Sequence, residues 1–270
     1  MAHSVWVGMD REVQEQLSLQ VDLSLQRHHD FMVQHGLGGC RDVVDIGTGS
    51  GLFLACVASR HPTIKFHGFD DKPHMLRAAA RFDLPNIEWS HADAFDSRAA
   101  DLLRAADGVL LRNVILHLPN TAKSLQQILR AAKPGTRAWI FDVDLDHCIC
   151  VPDSAAFQYF LDLVQRFSEK SGVETRTGAL LPPILDASGF DVDGMVVEPF
   201  NNREIESARF SEYLLREASL YHYSLYGTPG ATELSPLHEL LVAAAGDRSQ
   251  FVQYGMVMVA AKKRSSEGAA

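Results

Sequence analysis

Residues 43–53 read VVDIGTGSGLF, with a carboxylate two positions before the first of three glycines at 47, 49 and 51, all at the end of an apolar run. Glycines so placed let a ligand come up against bare backbone at the start of a helix. Two classes of nucleoside-bearing cofactor use such a turn. The dinucleotide pattern, G-x-G-x-x-G, needs a third glycine at position 52, where this chain has Leu52, so the spacing is G-x-G-x-G. Asp45 also counts against a dinucleotide, because an anion beside the turn repels a pyrophosphate and attracts a cation. A sulfonium fits that field better.

Other residues offer acid, base and metal chemistry. Twelve histidines supply candidates for a proton acceptor near neutral pH. His117 lies just after the fourth strand-like run, at a rim where an acceptor would sit, although a residue that packs or caps the next helix could occupy the same loop position. His28 and His29, in LQRHHDF, project from a long helical pattern. A solvated helix face is the plainer reading for both, with His28 kept as a candidate base, while Arg27 beside them could meet a carboxylate. SLYHYSLYG, residues 219–227, gathers Tyr221, His222, Tyr223 and Tyr226. These polar-tipped rings suit either a wall around a flat organic molecule or the packing of a helix onto a sheet. DVDLDHCIC, residues 142–150, places Asp142, Asp144 and Asp146 on one strand face, followed by His147, Cys148 and Cys150. Hard carboxylates and soft thiolates prefer different metals, and C-x-C is not the usual zinc spacing. No metal is therefore expected, and Asp144 becomes a candidate base or polar contact.

The elements that must position these residues alternate along the chain. A helical pattern from Arg11 to about Gly36 precedes strands expected at Asp42–Ile46, Ile64–Phe69, Asn86–His91, Gly108–Val114 and Arg137–Leu145. Helices fall between them, near Ser50–Arg60, Pro73–Phe82, Ser97–Ala105 and Thr121–Ala132. Such alternation predicts a parallel sheet covered on both faces. Two further helices (Asp153–Lys170, Ala179–Ser188) lead to strands at Val192–Phe200 and Phe251–Ala261. About fifty residues between these last strands carry two more helical patterns, Ser207–Tyr221 and Glu233–Ala245, and a connection that long suggests a lid.

Composition excludes some partners. The net charge of −9 and the lack of a basic run outside Lys262–Arg264 argue against nucleic acid. No apolar run reaches the length of a membrane span and no leader is evident, so a cytoplasmic protein with no membrane partner is expected. Four unevenly spaced cysteines fit reduced thiols.

Five stretches, in order, resemble the motifs of the seven-strand, Rossmann-like (class I) S-adenosylmethionine-dependent methyltransferases: VVDIGTGSG, FHGFDDKPHML, HADAFD, LLRNVILHLPN and LRAAKPGTRAWIFDVD, with a weaker continuation in LPPILDASGF. The resemblance covers about residues 40–145. It implies an α/β fold, a three-layer α/β/α sandwich on a mostly parallel seven-stranded sheet with an antiparallel last strand. An N-terminal helical cap segment (1–37) precedes a domain at 38–264, which carries a helical lid at about 201–248 between strands six and seven. A disordered tail is expected at 265–270. The resemblance further implies that Asp45, Gly47, Thr48 and Gly49 line the methionine and ribose portion of S-adenosyl-L-methionine, with Gly51 permitting close packing. Asp70, three residues before Pro73, is implied as the ribose acid ahead of Asp71. Asp93, Ala94 and Phe95 are placed against adenine, and Arg112 and Asn113 near the methionine portion.

Methyl transfer from a sulfonium is an in-line displacement that depends on alignment and water exclusion more than on a dedicated acid or base. The reading is therefore a methyltransferase acting on the O, N or C atom of a small-molecule acceptor, of a kind found in secondary metabolism. His117, Asp144, His28 and Tyr221 are its acceptor-side candidates. The alternatives are a binder of the same cofactor repurposed for a reaction such as cyclisation, and a nicotinamide-dependent oxidoreductase. The N-terminal helix could cover its own subunit or form a homodimer contact.

Overall fold

A computed structural model describes residues 10–265. The first nine residues of the expected cap and all of the expected tail but Ser265 lie outside them. Strands β1 (Asp42–Ile46), β2 (Lys65–Asp70), β3 (Ile87–His91), β4 (Gly108–Arg112), β5 (Arg137–Val143), β7 (Phe190–Val197) and β9 (Met256–Lys263) form one sheet in the order β3-β2-β1-β4-β5-β9-β7. The first five strands are parallel, whereas β9 runs antiparallel to both β5 and β7. The centre of the sheet is built from near-continuous apolar runs, with Val43, Val44, Val109, Leu110, Trp139 and Ile140 all fully enclosed, as strands covered on both faces require.

The chain passes from β1 outward to β2 and β3, then returns to β4 on the other side of β1. That reversal opens a crevice at the carboxyl ends of the strands. Helices α1 (Asp10–Gln34) and α2 (Leu52–Arg60) pack on one face through Phe31, Met32, Phe53 and Val57. Helices α4 (Ser97–Ala105), α5 (Thr121–Arg130) and α7 (Thr177–Ala187) cover the other through Leu103, Leu125, Leu129 and Leu185. Helix α3 (Pro73–Ala79) follows β2. Helices α6 (Ala155–Ser171), α8 (Ser207–Tyr226) and α9 (Ser235–Gly246) form a separate apolar layer around Phe160, Phe167, Tyr213 and Leu237, and α8 also touches α1.

Two differences from the expectation bear on the site. The last strand is interrupted: β8 (Phe251–Gln253) pairs with a short β6 (Ile149–Val151) in a separate ribbon, and only β9 enters the main sheet. The break falls at Gly255, which packs so closely against the Asp144–Cys148 turn that a Cβ there would run into its backbone. Strand β7 ends at Val197, three residues before the expected Phe200, which leaves Glu198 free of the ladder's side-chain alternation and turned beneath α1.

Candidate functional site: a glycine turn opening on a cavity beneath α1

Between β1 and α2 the chain makes three left-handed glycine conformations, at Gly47 (φ 67°), Gly49 (φ 58°) and Gly51 (φ 74°). Gly51 requires its residue type twice over, since a Cβ would stand 2.7 Å from Ala79 Cβ and 2.8 Å from Trp89 Cη2. A Cβ at Gly49 would meet only Leu17 at 3.5 Å, so this backbone faces open space. Asp70 ties the turn in place: its Oδ2 accepts the Gly49 N–H and its Oδ1 the Lys72 N–H, each at 2.9 Å. Burial raises its pKa above the usual carboxylate range. Asp45 lies behind the turn and accepts from Thr48 Oγ1 at 2.7 Å.

A cavity of about 820 Å³ runs from this turn to α8. Gly47, Thr48, Gly49, Asp70, Asp71, Asp93, Ala94, Phe95, Arg112 and Asn113 all line it, and His117 and Tyr221 do so at the far end. The roof is α1, through Val13, Gln16, Leu17, Gln20 and Val21; the far wall is the end of α6 together with Glu217, Leu220 and Tyr221 of α8. Asn113 sits in a left-handed backbone conformation (φ 54°), with both polar atoms of its buried side chain lacking a hydrogen-bond partner. A buried carboxamide left unsatisfied is costly, and an incoming polar ligand would satisfy it.

Several candidates point elsewhere. Asp45 and Gly51 shape the turn from behind and do not line the cavity. His28, read from sequence as a solvated helix residue or base, is fully buried: it stacks on Phe141 (centroids 4.2 Å apart) and its Nε2 meets Glu198 Oε2 at 3.0 Å. Arg112 Nε donates to His28 Nδ1 at 3.3 Å, so Nδ1 is an acceptor and Nε2–H the donor, a neutral tautomer that agrees with burial lowering the His28 pKa. Arg27 is bound to Glu198 at 2.9 Å and is not available to a ligand carboxylate. Asp144 is no base: one carboxylate oxygen meets His147 Nδ1 at 2.8 Å and the other accepts the Asp146 N–H, capping the turn after β5. Asp142, considered from sequence only as a metal ligand, accepts the Ile115 N–H at 2.8 Å and so holds the 3-10 turn that carries His117. In the aromatic run, Tyr221 alone lines the cavity. His222 binds Thr228 O, Tyr223 packs beside Leu220, and Tyr226 is half exposed and accepts from Arg166.

The model of the family described as "Methyltransferase domain" matches residues 44–138, the stretch from β1 to β5 that carries the turn and the cofactor end of the cavity. Residues 44–138 are thus similar to a methyltransferase domain, and the sheet around them has the class I, Rossmann-like fold. A curated relative named O-methyltransferase resE, from Aspergillus sclerotiorum, is 28% identical over 156 residues, covering 56% of this chain and 54% of its own length. The chain thus spans about half the length of the curated relatives it matches. Among solved structures, the plantazolicin methyltransferase BpumL in complex with SAH superposes with a TM-score of 0.57 at 14% identity, covering 97% of this chain and 94% of that one. The [4+2]-cyclase SpnF gives 0.57 at 17%, covering 89% and 82%. Both likenesses concern the fold.

The site fits S-adenosylmethionine on its own geometry: a bare-backbone turn, a fixed carboxylate at Asp70 with lone pairs remaining, and an unsatisfied carboxamide at Asn113. Its buried carboxylates carry a pH signature. Burial pushes Asp45 from the ordinary carboxyl range up to about 7. An acid whose folded pKa lies above its unfolded one costs stability once ionised, so this contribution improves as pH falls from about 8 to 5. Replacing Asp45 by Asn, which keeps an oxygen for Thr48, is expected to raise the stability of the ligand-free domain at pH 8. That advantage shrinks by on the order of 2 kcal/mol by pH 5. Denaturant titrations at the two pH values check this, and a pH-independent difference would contradict it.

Proposed function

We propose that this protein transfers a methyl group from S-adenosylmethionine to a hydroxyl oxygen of a small, largely apolar acceptor, as a step in secondary metabolism. One observation carries the proposal: a single cavity joins the Gly47–Gly49 turn and Asp70 to an apolar chamber walled by α1 and α8. Relatives named as O-methyltransferases support the choice of oxygen.

Bound at the turn, S-adenosylmethionine supplies an electrophilic methyl group carried on a sulfonium. Asp70 accepts hydrogen bonds from the ribose hydroxyls with the lone pairs its two backbone N–H contacts leave, and Asn113 places its carboxamide on the methionine portion. Asp93, whose Oδ1 accepts the Phe95 N–H at 2.9 Å, orients the Ala94–Phe95 backbone toward the base. The α1 roof shields the acceptor chamber from bulk solvent on one side. His117, half-buried in the chamber lining, has its pKa pushed by burial down to about 3. Its imidazole is therefore neutral at working pH and serves as a hydrogen-bond partner to the acceptor.

The test is incubation with methyl-labelled S-adenosylmethionine and a panel of hydroxylated aromatic compounds. The expected result is label on oxygen with one S-adenosylhomocysteine formed per methyl transferred. S-adenosylhomocysteine binding with no transfer across the panel would overturn the proposal in favour of a repurposed binder.

A further inference from the structure

The far end of the cavity holds a polar corner that the cofactor does not need. Glu217 sits on the apolar stripe of α8, in register with Phe210, Tyr213 and Tyr221, and lines the chamber. Its carboxylate accepts from Gln16 Nε2 at 2.8 Å and from the hydroxyls of Tyr213 and Tyr221. A carboxylate offers about four lone-pair sites, so three internal donors leave about one.

The two carboxamides on α1 show the same polarity. Gln16 spends its NH2 on Glu217 and on Tyr213 O, and Gln20 spends its NH2 on Tyr213 Oη at 3.2 Å. Both side chains are more than nine-tenths buried, both line the cavity, and the carbonyl oxygen of each has no hydrogen-bond partner among the described residues. The Gln16 NH2 and one N–H of Gln20 are thus committed inward, and the unpartnered oxygens of the corner are acceptors. Around them the chamber is apolar, with Val13, Leu116, Val143, Val173 and Leu220.

We propose that Glu217, flanked by the Gln16 and Gln20 carbonyls, selects the acceptor, which is an apolar, ring-sized molecule presenting an uncharged hydrogen-bond donor, O–H or N–H. This deepens the methyl-transfer reading and rests on it for the acceptor's fate.

The test is equilibrium calorimetry in the presence of S-adenosylhomocysteine with four probes: 1-naphthol, 1-methoxynaphthalene, 1-naphthylamine and N,N-dimethyl-1-naphthylamine. At least one donor-bearing probe is expected to bind about 10-fold or more tightly than its methylated counterpart, the naphthol and naphthylamine arms distinguishing O–H from N–H. In Glu217→Gln, and independently in a Gln16→Leu, Gln20→Leu variant, the preference is expected to fall to roughly 3-fold or less, with S-adenosylhomocysteine affinity and a cooperative melt retained. Equal binding within both pairs, binding of none of the four, or an unchanged preference in folded Glu217→Gln would overturn the proposal. Wild-type protein that discriminates between the probes yet ignores S-adenosylhomocysteine would leave the donor corner standing and sink the methyl-transfer reading.

Discussion

Asp70→Ala is expected to weaken S-adenosylhomocysteine binding by about 10- to 150-fold, the equivalent of roughly 1.5 to 3 kcal/mol for hydrogen bonds to a charged group. The carboxylate does two things at once. Through Oδ2 it holds the Gly49 N–H and through Oδ1 the Lys72 N–H, fixing the glycine turn against the end of β2. It also presents its remaining lone pairs to the cavity it lines. Asp70→Asn keeps one acceptor oxygen and is expected to fall between wild type and Asp70→Ala. Calorimetric titration of the three proteins separates the roles. If Asp70 were only a cap for the turn, Asp70→Ala would lower the melting temperature while leaving ligand affinity within roughly 3-fold, well short of the loss of a charge-assisted bond.

The second large effect lies far from the chemistry. Glu198→Ala is expected to cost about 3 to 5 kcal/mol of folding stability, the range for breaking a buried ion pair from one side. Glu198 is fully enclosed just past the end of β7 and receives Arg27 Nε at 2.9 Å and His28 Nε2 at 3.0 Å, both from α1. Burial acts against its charge, but the pull of His28 and Arg27 holds its pKa below the usual value. Removing it strands the Arg27 cation and the His28 N–H. The network extends further, because Arg112 Nε donates to His28 Nδ1, its other arm reaches Ser24 Oγ at 3.1 Å, and its guanidinium lies 4.8 Å from the centre of the Phe53 ring. Since α1 is the roof of the cavity, loosening it should weaken S-adenosylhomocysteine binding as well. Urea titration with and without ligand measures both effects. A loss under about 1 kcal/mol would mean that α1 is held by its apolar face alone.

That the glycine turn, Asp70, Asp93 and Asn113 come together at one end of the cavity was legible in the sequence, because every part of that end is local. The glycine turn, Asp70, Asp93 and Asn113 each end a strand, and a parallel sheet brings consecutive strand ends to one edge whatever the rest of the chain does. The acceptor end was not, because its polar residues are defined by partners about 170 to 200 residues away. Glu198 reads as one more residue in a strand-like run until Arg27 and His28 meet it. Glu217 follows Arg216, which pairs with Glu212 and Glu15 on the outside of α8, and the two look alike in sequence. Only the helical period separates them, since positions 210, 213, 217 and 221 share the buried face. The same period dissolves the expected aromatic wall: rings at 221, 222, 223 and 226 point in different directions around one helix, so Tyr221 alone reaches the cavity. Asp142 and Asp144 were expected to share a strand face, but β5 ends at Val143, so Asp142 supports the turn under His117 and Asp144 caps the turn that follows.

The most direct measurement of the central claim is a co-crystal structure with S-adenosylhomocysteine. The ligand is expected in the cavity beneath α1, its ribose hydroxyls on Asp70, a polar atom of its amino-acid portion on Asn113, and its sulfur facing the chamber that holds His117 and Glu217. A ligand bound outside that cavity, or a protein that takes up NAD at Gly47–Gly49 and refuses S-adenosylhomocysteine, would contradict it.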